Sequence, residues 1–200
     1  MSDVLKQTRR QQSHQRILDA AARAVCRDGY AGLGVANVMK EAGLTHGGFY
    51  AHFESRDALL AEAVDHAGML STARLRERLP ARIVAGASPL RALIEEYLSD
   101  RHVDAVDSGC PVAALGAELA RGEPALREVA ARRVRHLVAA VEAALAQGSA
   151  AGAYGKALVI ASTMVGAVQL ARVLQGEQRA AVLRNCADVL IGQYDRPAKD

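Results

Sequence analysis

A chain of 200 residues, half of them hydrophobic, is long enough for one packed domain or for a small domain joined to a larger one. Trp is absent, only 4% of residues are aromatic, Ala and Leu dominate and strand signals are missing, which disfavours β architectures and favours an all-helical chain. The net charge of +3 is too mild to mark a nucleic-acid binder by bulk electrostatics, and three widely spaced cysteines (Cys26, Cys110, Cys186) suggest neither a disulfide framework nor a zinc site and fit a reducing cytoplasm.

The N-terminal segment has no apolar signal core. Over residues 1–16 it carries Lys6, Arg9, Arg10 and Arg16 against Asp3, a net +3. Such an arm can reach phosphates or a minor groove, or stay a solvated tail. Ser13 can cap a first helix to about Arg27, with Ile17, Ala20, Ala21, Ala24 and Val25 as its apolar stripe and Gly29 as its stop. Tyr30 then tucks beneath the next helices. Val35, Val38, Met39 and Ala42 recur at helical spacing, Gly43 supplies a positive-φ stop, and Thr45 can cap a second short helix at once. Two short helices joined by a tight glycine turn make a helix-turn-helix. Phe49 and Phe53, four apart, can anchor its second helix, leaving Thr45, His46, Gly47, Tyr50 and His52 mostly outward. Gly47 and Gly48 each cost about 1 kcal/mol of helix stability relative to Ala. A packed hairpin with incidental glycines is the plainer alternative, but the aromatic anchors and exposed polar edge favour a reader of DNA.

The segment Val35 to Phe53, with Arg16-Ile17-Leu18-Asp19-Ala20-Ala21, Asp28-Gly29-Tyr30 and Glu54-Ser55-Arg56-Asp57-Ala58-Leu59-Leu60 around it, resembles the N-terminal DNA-binding domain of the TetR family of bacterial transcriptional regulators. The motif Ala-Gly-Leu-Thr…Gly-Phe-Tyr…His-Phe is more specific than a bare helix-turn-helix. Two departures stand out. Gly34 replaces the usual Ser or Thr cap, and Arg56 replaces the usual Lys, which can still bind phosphate. The resemblance implies a homodimer on a palindromic double-stranded operator, with Thr45, Tyr50, His52 and Arg56 mostly on phosphates and His46, Gly47 and Gly48 closest to base edges or sugars.

Ser55 can cap a long helix with Asp57 in its first turn, ending near Leu79 at Pro80. Ser88-Pro89 opens a further helix expected to run to about Val106, Asp107-Ser108-Gly109 is a loop, and Pro111 opens another to about Ala120. Gly122-Glu123-Pro124 precedes a helix of roughly 24 residues ending at Gln147, and a small, flexible stretch from Gly148 to Gly155 follows. Two last helices cover Lys156 to about Leu174 and Gln178 to about Tyr194, before a frayed tail beyond Pro197. The expectation is an all-α chain of about nine helices, with a three-helix DNA-binding domain at 1–55 and a helical effector-binding and dimerisation domain at 56–200.

The apolar run Ala157 to Leu170 is shorter than the roughly 20 residues that span a bilayer and carries Ser162, Thr163 and Gln169, so no membrane partner is expected. Leu158, Val159, Ala161, Met164, Val165, Val168, Leu170 and Val173 spread around their helix, which therefore needs cover on opposite sides. The last helix repeats the theme with Ala181, Val182, Cys186, Val189, Leu190 and Gly192. A second copy supplies that cover through Leu158, Ala161, Val165, Val168, Val182 and Val189, in the four-helix seam that the resemblance also implies. Ordinary monomer core is the alternative.

No set of residues argues for catalysis, and no cofactor or metal is expected. Gly155-Lys156 resembles the end of a phosphate loop, but Ala157 stands for the Ser or Thr and Ala150 for the first Gly. His102, Asp104 and Asp107 lack ligand spacing. Cys110 precedes Pro111 at a helix N-cap, where free amides favour thiolate. Gly109-Cys110-Pro111 with Ala113-Ala114-Leu115 resembles a subgroup in which a cysteine here senses reactive species, although a small buried corner residue explains it too. The resemblance further implies a small-molecule effector of unknown identity, for which Met69, Tyr97, His102, Leu115 and Met164 are candidate lining residues, each also a plain core candidate. The combined expectation is a ligand- or redox-responsive regulator, most simply a repressor. A helical interaction module or bundle enzyme without DNA binding is the alternative.

Overall fold

The first helix, α1 (Ser2–Gly32), starts well before the expected cap at Ser13, which lies inside it. The run Val4 to Gln12 contains good helix formers and neither Gly nor Pro, so nothing stops propagation toward the N-terminus. The computed structural model of the chain describes residues 2–145 and 152–195, with side chains from Gln7 onward. Gln147, Gly148, Ala150 and the tail beyond Pro197 therefore lie outside the described residues.

Gly29 interrupts α1 where the stop is expected. Its φ of 69° admits glycine readily, and a Cβ there would lie 2.7 Å from a Glu118 carboxylate oxygen. α2 (Val35–Glu41) follows Gly34, which supplies no side-chain cap, and a short 3-10 helix covers His46–Ala51. α3 (Arg56–Val84) is capped by Ser55, whose hydroxyl accepts from Ala58 N at 3.0 Å. It runs through Pro80 rather than stopping there. Pro80 is exposed, so the backbone bond it forgoes falls on the wet side, and Arg78 and Arg82 on either side of it both hold Glu96.

α4 (Pro89–Tyr97) begins at Ser88, whose hydroxyl accepts from Arg91 N at 3.0 Å. The helix expected to reach Val106 divides. Ser99 Oγ–H donates to Glu96 O at 2.8 Å and its oxygen accepts from His102 N at 3.3 Å, which opens α5 (Asp100–Asp104). Then come α6 (Pro111–Ala120), α7 (Pro124–Leu145), α8 (Ala153–Val173) and α9 (Gly176–Tyr194). Among the described residues there is no strand, and the fold is all-α as expected.

The chain forms two compact units, residues 1–70 with 107–131 and residues 71–106 with 132–200. In the first, Ile17, Val25, Leu33, Met39, Phe49 and Leu59 share one core with Leu115, Leu119 and Leu126, so α6 and the start of α7 belong to the same packed body as the helix-turn-helix. Glu118 fastens this arrangement by accepting from Tyr30 N at 2.8 Å. Burial, with Glu118 adding to it, pushes the Tyr30 phenol up to about 12.

In the second unit α8 and α9 pack side by side. α8 is long and apolar enough by length and composition to cross a membrane. Its Ala157, Ile160, Met164, Ala167, Val168 and Ala171 are buried along one face, while Lys156, Ser162 and Gln169 are exposed. Glu96 is 3% exposed and sits among Arg82 (3.2 Å), Arg101 (3.3 Å) and Arg78 (3.4 Å), so its buried charge is compensated.

The His102 Nδ1–H donates to Tyr97 O at 2.6 Å, with the two rings edge-on at 4.4 Å. Burial outweighs that bond and holds the imidazole below its usual pKa, so the unfolded chain takes up this proton first as the pH falls. Its contribution is complete above the unfolded value of about 6.5 and is lost below it. Thermal melts between roughly pH 7 and pH 5 should show a falling midpoint, with a shallower fall in His102→Gln.

Candidate nucleic-acid interface

The reader is built around one tight corner. At Gly43, φ is 67°, which is what calls for glycine at the turn, and a Cβ there would lie 2.8 Å from the tip of the Arg16 side chain, which would have to shift. Arg16 donates to Ala42 O and, at 3.2 Å, to Gly43 O, holding the end of α2. Beyond the corner, Phe49 and Phe53 are buried and stacked at 5.7 Å, and the His14 ring stacks on Phe53 at 4.5 Å. Phe49 also meets Tyr50 edge-on at 5.2 Å, while the Tyr50 side chain is 74% exposed.

The second helix of the motif is 3-10 rather than α, and Thr45 makes no side-chain cap bond. Two adjacent glycines and a missing cap weaken α-helical propagation, and the tighter winding carries the chain over one short stretch. The fold requires neither glycine. A Cβ at Gly47 would meet nothing within 4 Å, and one at Gly48 would make an ordinary 3.7 Å contact with Met39. Thr45, His46, Gly47 and Tyr50 are exposed, and Gly48 is half-buried.

His52 departs from the outward set. It is half-buried, its ring lies 6.0 Å from that of His14, and its Nδ1 is shielded from solvent with no hydrogen-bond partner among the described residues. Burial, with His14 and Arg10 adding to it, holds its pKa below the usual value. Arg56 is also differently engaged. Its guanidinium donates to Leu33 O at 3.0 Å and to Tyr30 O, so it closes the C-terminal end of α1. Arg10 does the same for the 3-10 helix, donating to Ala51 O at 2.8 Å. The sequence holds no local signal for these three arginine clamps, because each joins residues at least 23 positions apart.

The other candidate residues scatter. Cys110 is the N-cap of α6, as expected, yet it is only 7% exposed and makes no side-chain cap bond, which fits a packed corner. Leu115 lies in the core of the first unit, and Met69 is 57% exposed. Tyr97 and His102 do meet, and Met164 is buried in the same unit as that pair. A groove of about 680 Å³ in the second unit is lined by Arg82, Glu95, Leu98, Leu183, Arg184 and Ile191 among others, none of them a candidate from the sequence. Of the residues expected at the seam, Leu158 and Val189 are exposed and Val165 and Val182 half-buried, but Ala161 and Val168 are buried within their own protomer. Side chains already covered have no surface to give a partner. Val159, Leu170 and Val173 are exposed instead. No group of three or more His, Cys, Asp or Glu among the described residues could hold a metal.

The geometry agrees with the comparisons. Residues 17–63 match the profile of bacterial regulatory proteins of the tetR family, and residues 86–187 match the tetracyclin repressor-like C-terminal domain. A search of curated protein sequences gives no match. Among solved structures, a TetR transcriptional regulator from Chloroflexus aurantiacus is similar at 27% identity and a TM-score of 0.73, over 93% of this chain and 97% of that one. The reduced form of Escherichia coli NemR gives 0.75 at 19% identity, over 94% and 99%. A TetR-family regulator from Cytophaga hutchinsonii gives 0.74 at 17% identity, over 94% and 98%, and these two speak for the fold alone. With one profile lying on the helix-turn-helix and the other covering just over half of the chain, the protein belongs to the tetR family of bacterial transcriptional regulators.

Proposed function

We propose that the protein is a cytoplasmic, homodimeric repressor that binds a palindromic operator and is released by a small-molecule effector. Residues 1–55 read DNA, and residues 56–200 bind the effector and dimerise. The observation that carries this reading is the exposed edge of the 3-10 helix. Thr45, His46 and Tyr50 face outward from a firmly anchored turn, beside a Gly47 that packing within the chain does not require. Bare backbone there lets the reader approach a groove wall closely.

Two readers must be presented together, about 34 Å apart or somewhat more, to enter successive major grooves. The seam is supported by exposed apolar residues on α8 and α9 and by Gly166, a mid-helix position where a Cβ would meet nothing within 4 Å among the described residues. The effector acts only if it binds the DNA-incompetent arrangement more tightly than the competent one. The pair of buried Tyr97 and half-buried His102 supports a site in the second unit, and the burial of Cys110 favours a bound ligand over a thiol reaction as the trigger.

A gel shift against the DNA upstream of its own gene, repeated with candidate ligands, tests the reading. The expected result is a complex that weakens steeply with salt. Tyr50→Ala should weaken binding to every sequence alike and leave the dimer intact, because phosphate contacts carry no sequence information. A loss confined to one operator sequence counts against that role, and a monomeric protein that ignores the upstream region overturns the proposal.

A further inference from the structure

A DNA-binding head needs cations free to meet phosphates, and most of those in this head are already engaged. Within the described residues from 7 to 63, Arg10 holds Ala51 O, Arg16 holds Ala42 O and Gly43 O, and Arg56 holds Leu33 O and Tyr30 O. Arg23 pairs with Glu41 at 2.8 Å and Arg27 with Asp28 at 2.7 Å. Two cations remain. The side chains of Arg9 and Lys40 are exposed and make no hydrogen bond or ion pair among the described residues.

Their places in the fold give this a meaning. Lys40 lies in the last turn of α2, two residues before the carbonyl that Arg16 grips and just ahead of the corner that delivers Thr45. The first helix of a helix-turn-helix is the one that crosses the DNA backbone. Arg9 adjoins Arg10, whose guanidinium rests on the far end of the 3-10 helix. It also shares a face of α1 with Arg16, seven residues and about 10 Å along the axis. One free cation therefore lies just ahead of the reader in the chain, and the other lies next to the arginine that rests on the reader's far end.

We infer that Arg9 and Lys40 are the phosphate anchors of the reader, gripping the backbone on either side of the groove it enters, while Arg10, Arg16 and Arg56 hold the reader together from within. The inference rests on the DNA-binding reading above and replaces Arg56 as its principal cationic contact. A guanidinium clamped on a helix-end carbonyl can offer a phosphate only its remaining N–H groups and only within the reach of the clamp, whereas a free cation can follow the phosphate with its whole side chain.

The test is the salt dependence of binding by the full chain, for wild type, Arg9→Gln and Lys40→Gln, on a duplex from its own upstream region and on a scrambled duplex. Both side chains are exposed, so folding should be unaffected. Each phosphate contact contributes about 0.9 to the slope of log K against log salt, and a dimer presents each residue twice. Each variant should therefore lose about 1.8 from the slope, a salt sensitivity smaller by about 12-fold between roughly 50 and 200 mM, to the same extent on both duplexes. A wild-type slope in either variant overturns the assignment of that residue and leaves the DNA-binding reading intact. A loss confined to the upstream duplex makes the residue a base reader and overturns its role as an anchor. A wild-type protein that binds neither duplex at low salt overturns both this inference and the reading it rests on.

Discussion

Val189→Arg is expected to yield a folded monomer whose affinity for the operator is lower by about 10²–10⁴-fold, the factor that joining two binding heads supplies without any new contact. Val189 lies on α9 and is 63% exposed. In a two-fold seam the same patch meets itself, so one substitution sets two guanidinium groups in an apolar contact. The side chain supports little within its own protomer, and the melting temperature of the separated chain should change little on that account. Sedimentation at working concentration reads the mass, and a gel shift reads the affinity. A variant that remains dimeric removes Val189 from the seam.

Phe49→Ala is expected to destabilise the first unit by about 3–5 kcal/mol, a large share of the roughly 5–15 kcal/mol that holds a typical domain folded. Phe49 is fully buried in the same core as Val38, Met39 and Leu59 and stacks on Phe53, so its removal opens a cavity under the helix that carries Thr45, His46 and Tyr50. Operator binding should disappear while the dimer persists, because α8 and α9, which carry the proposed seam, belong to the other unit. Urea denaturation followed by circular dichroism gives the stability loss. A loss below about 1 kcal/mol would mean that the core closes around the gap and that the reader does not depend on this anchor.

The difference between these two side chains and the ones sequence reading misplaced is physical. Gly29, Gly43, Ser55, Ser88 and Pro111 act on backbone groups within about four residues, through positive φ, a cap or a fixed φ, and each lies where the sequence sets it. Pro80 and Ser99 carry local signals too, one that α3 overrides and one, acting on partners three residues to either side, that a continuous periodicity hides. Arg78, Arg82 and buried Glu96 carry α3 past the proline, and Ser99 splits a helix whose periodicity looks continuous.

From its residues alone, then, the chain determined an all-helical fold, the position of its helix-turn-helix and the family it belongs to, because these follow from turn chemistry and spacing over short stretches of backbone. Tertiary structure alone decided that α6 packs in the core of the head, that Arg10, Arg16 and Arg56 turn inward onto helix ends, and that Ala161 and Val168 are covered while Val173 and Val189 are not. An apolar stripe or an arginine is compatible with several partners. Only the packed chain shows which carbonyl a guanidinium reaches and which side of an apolar helix stays bare.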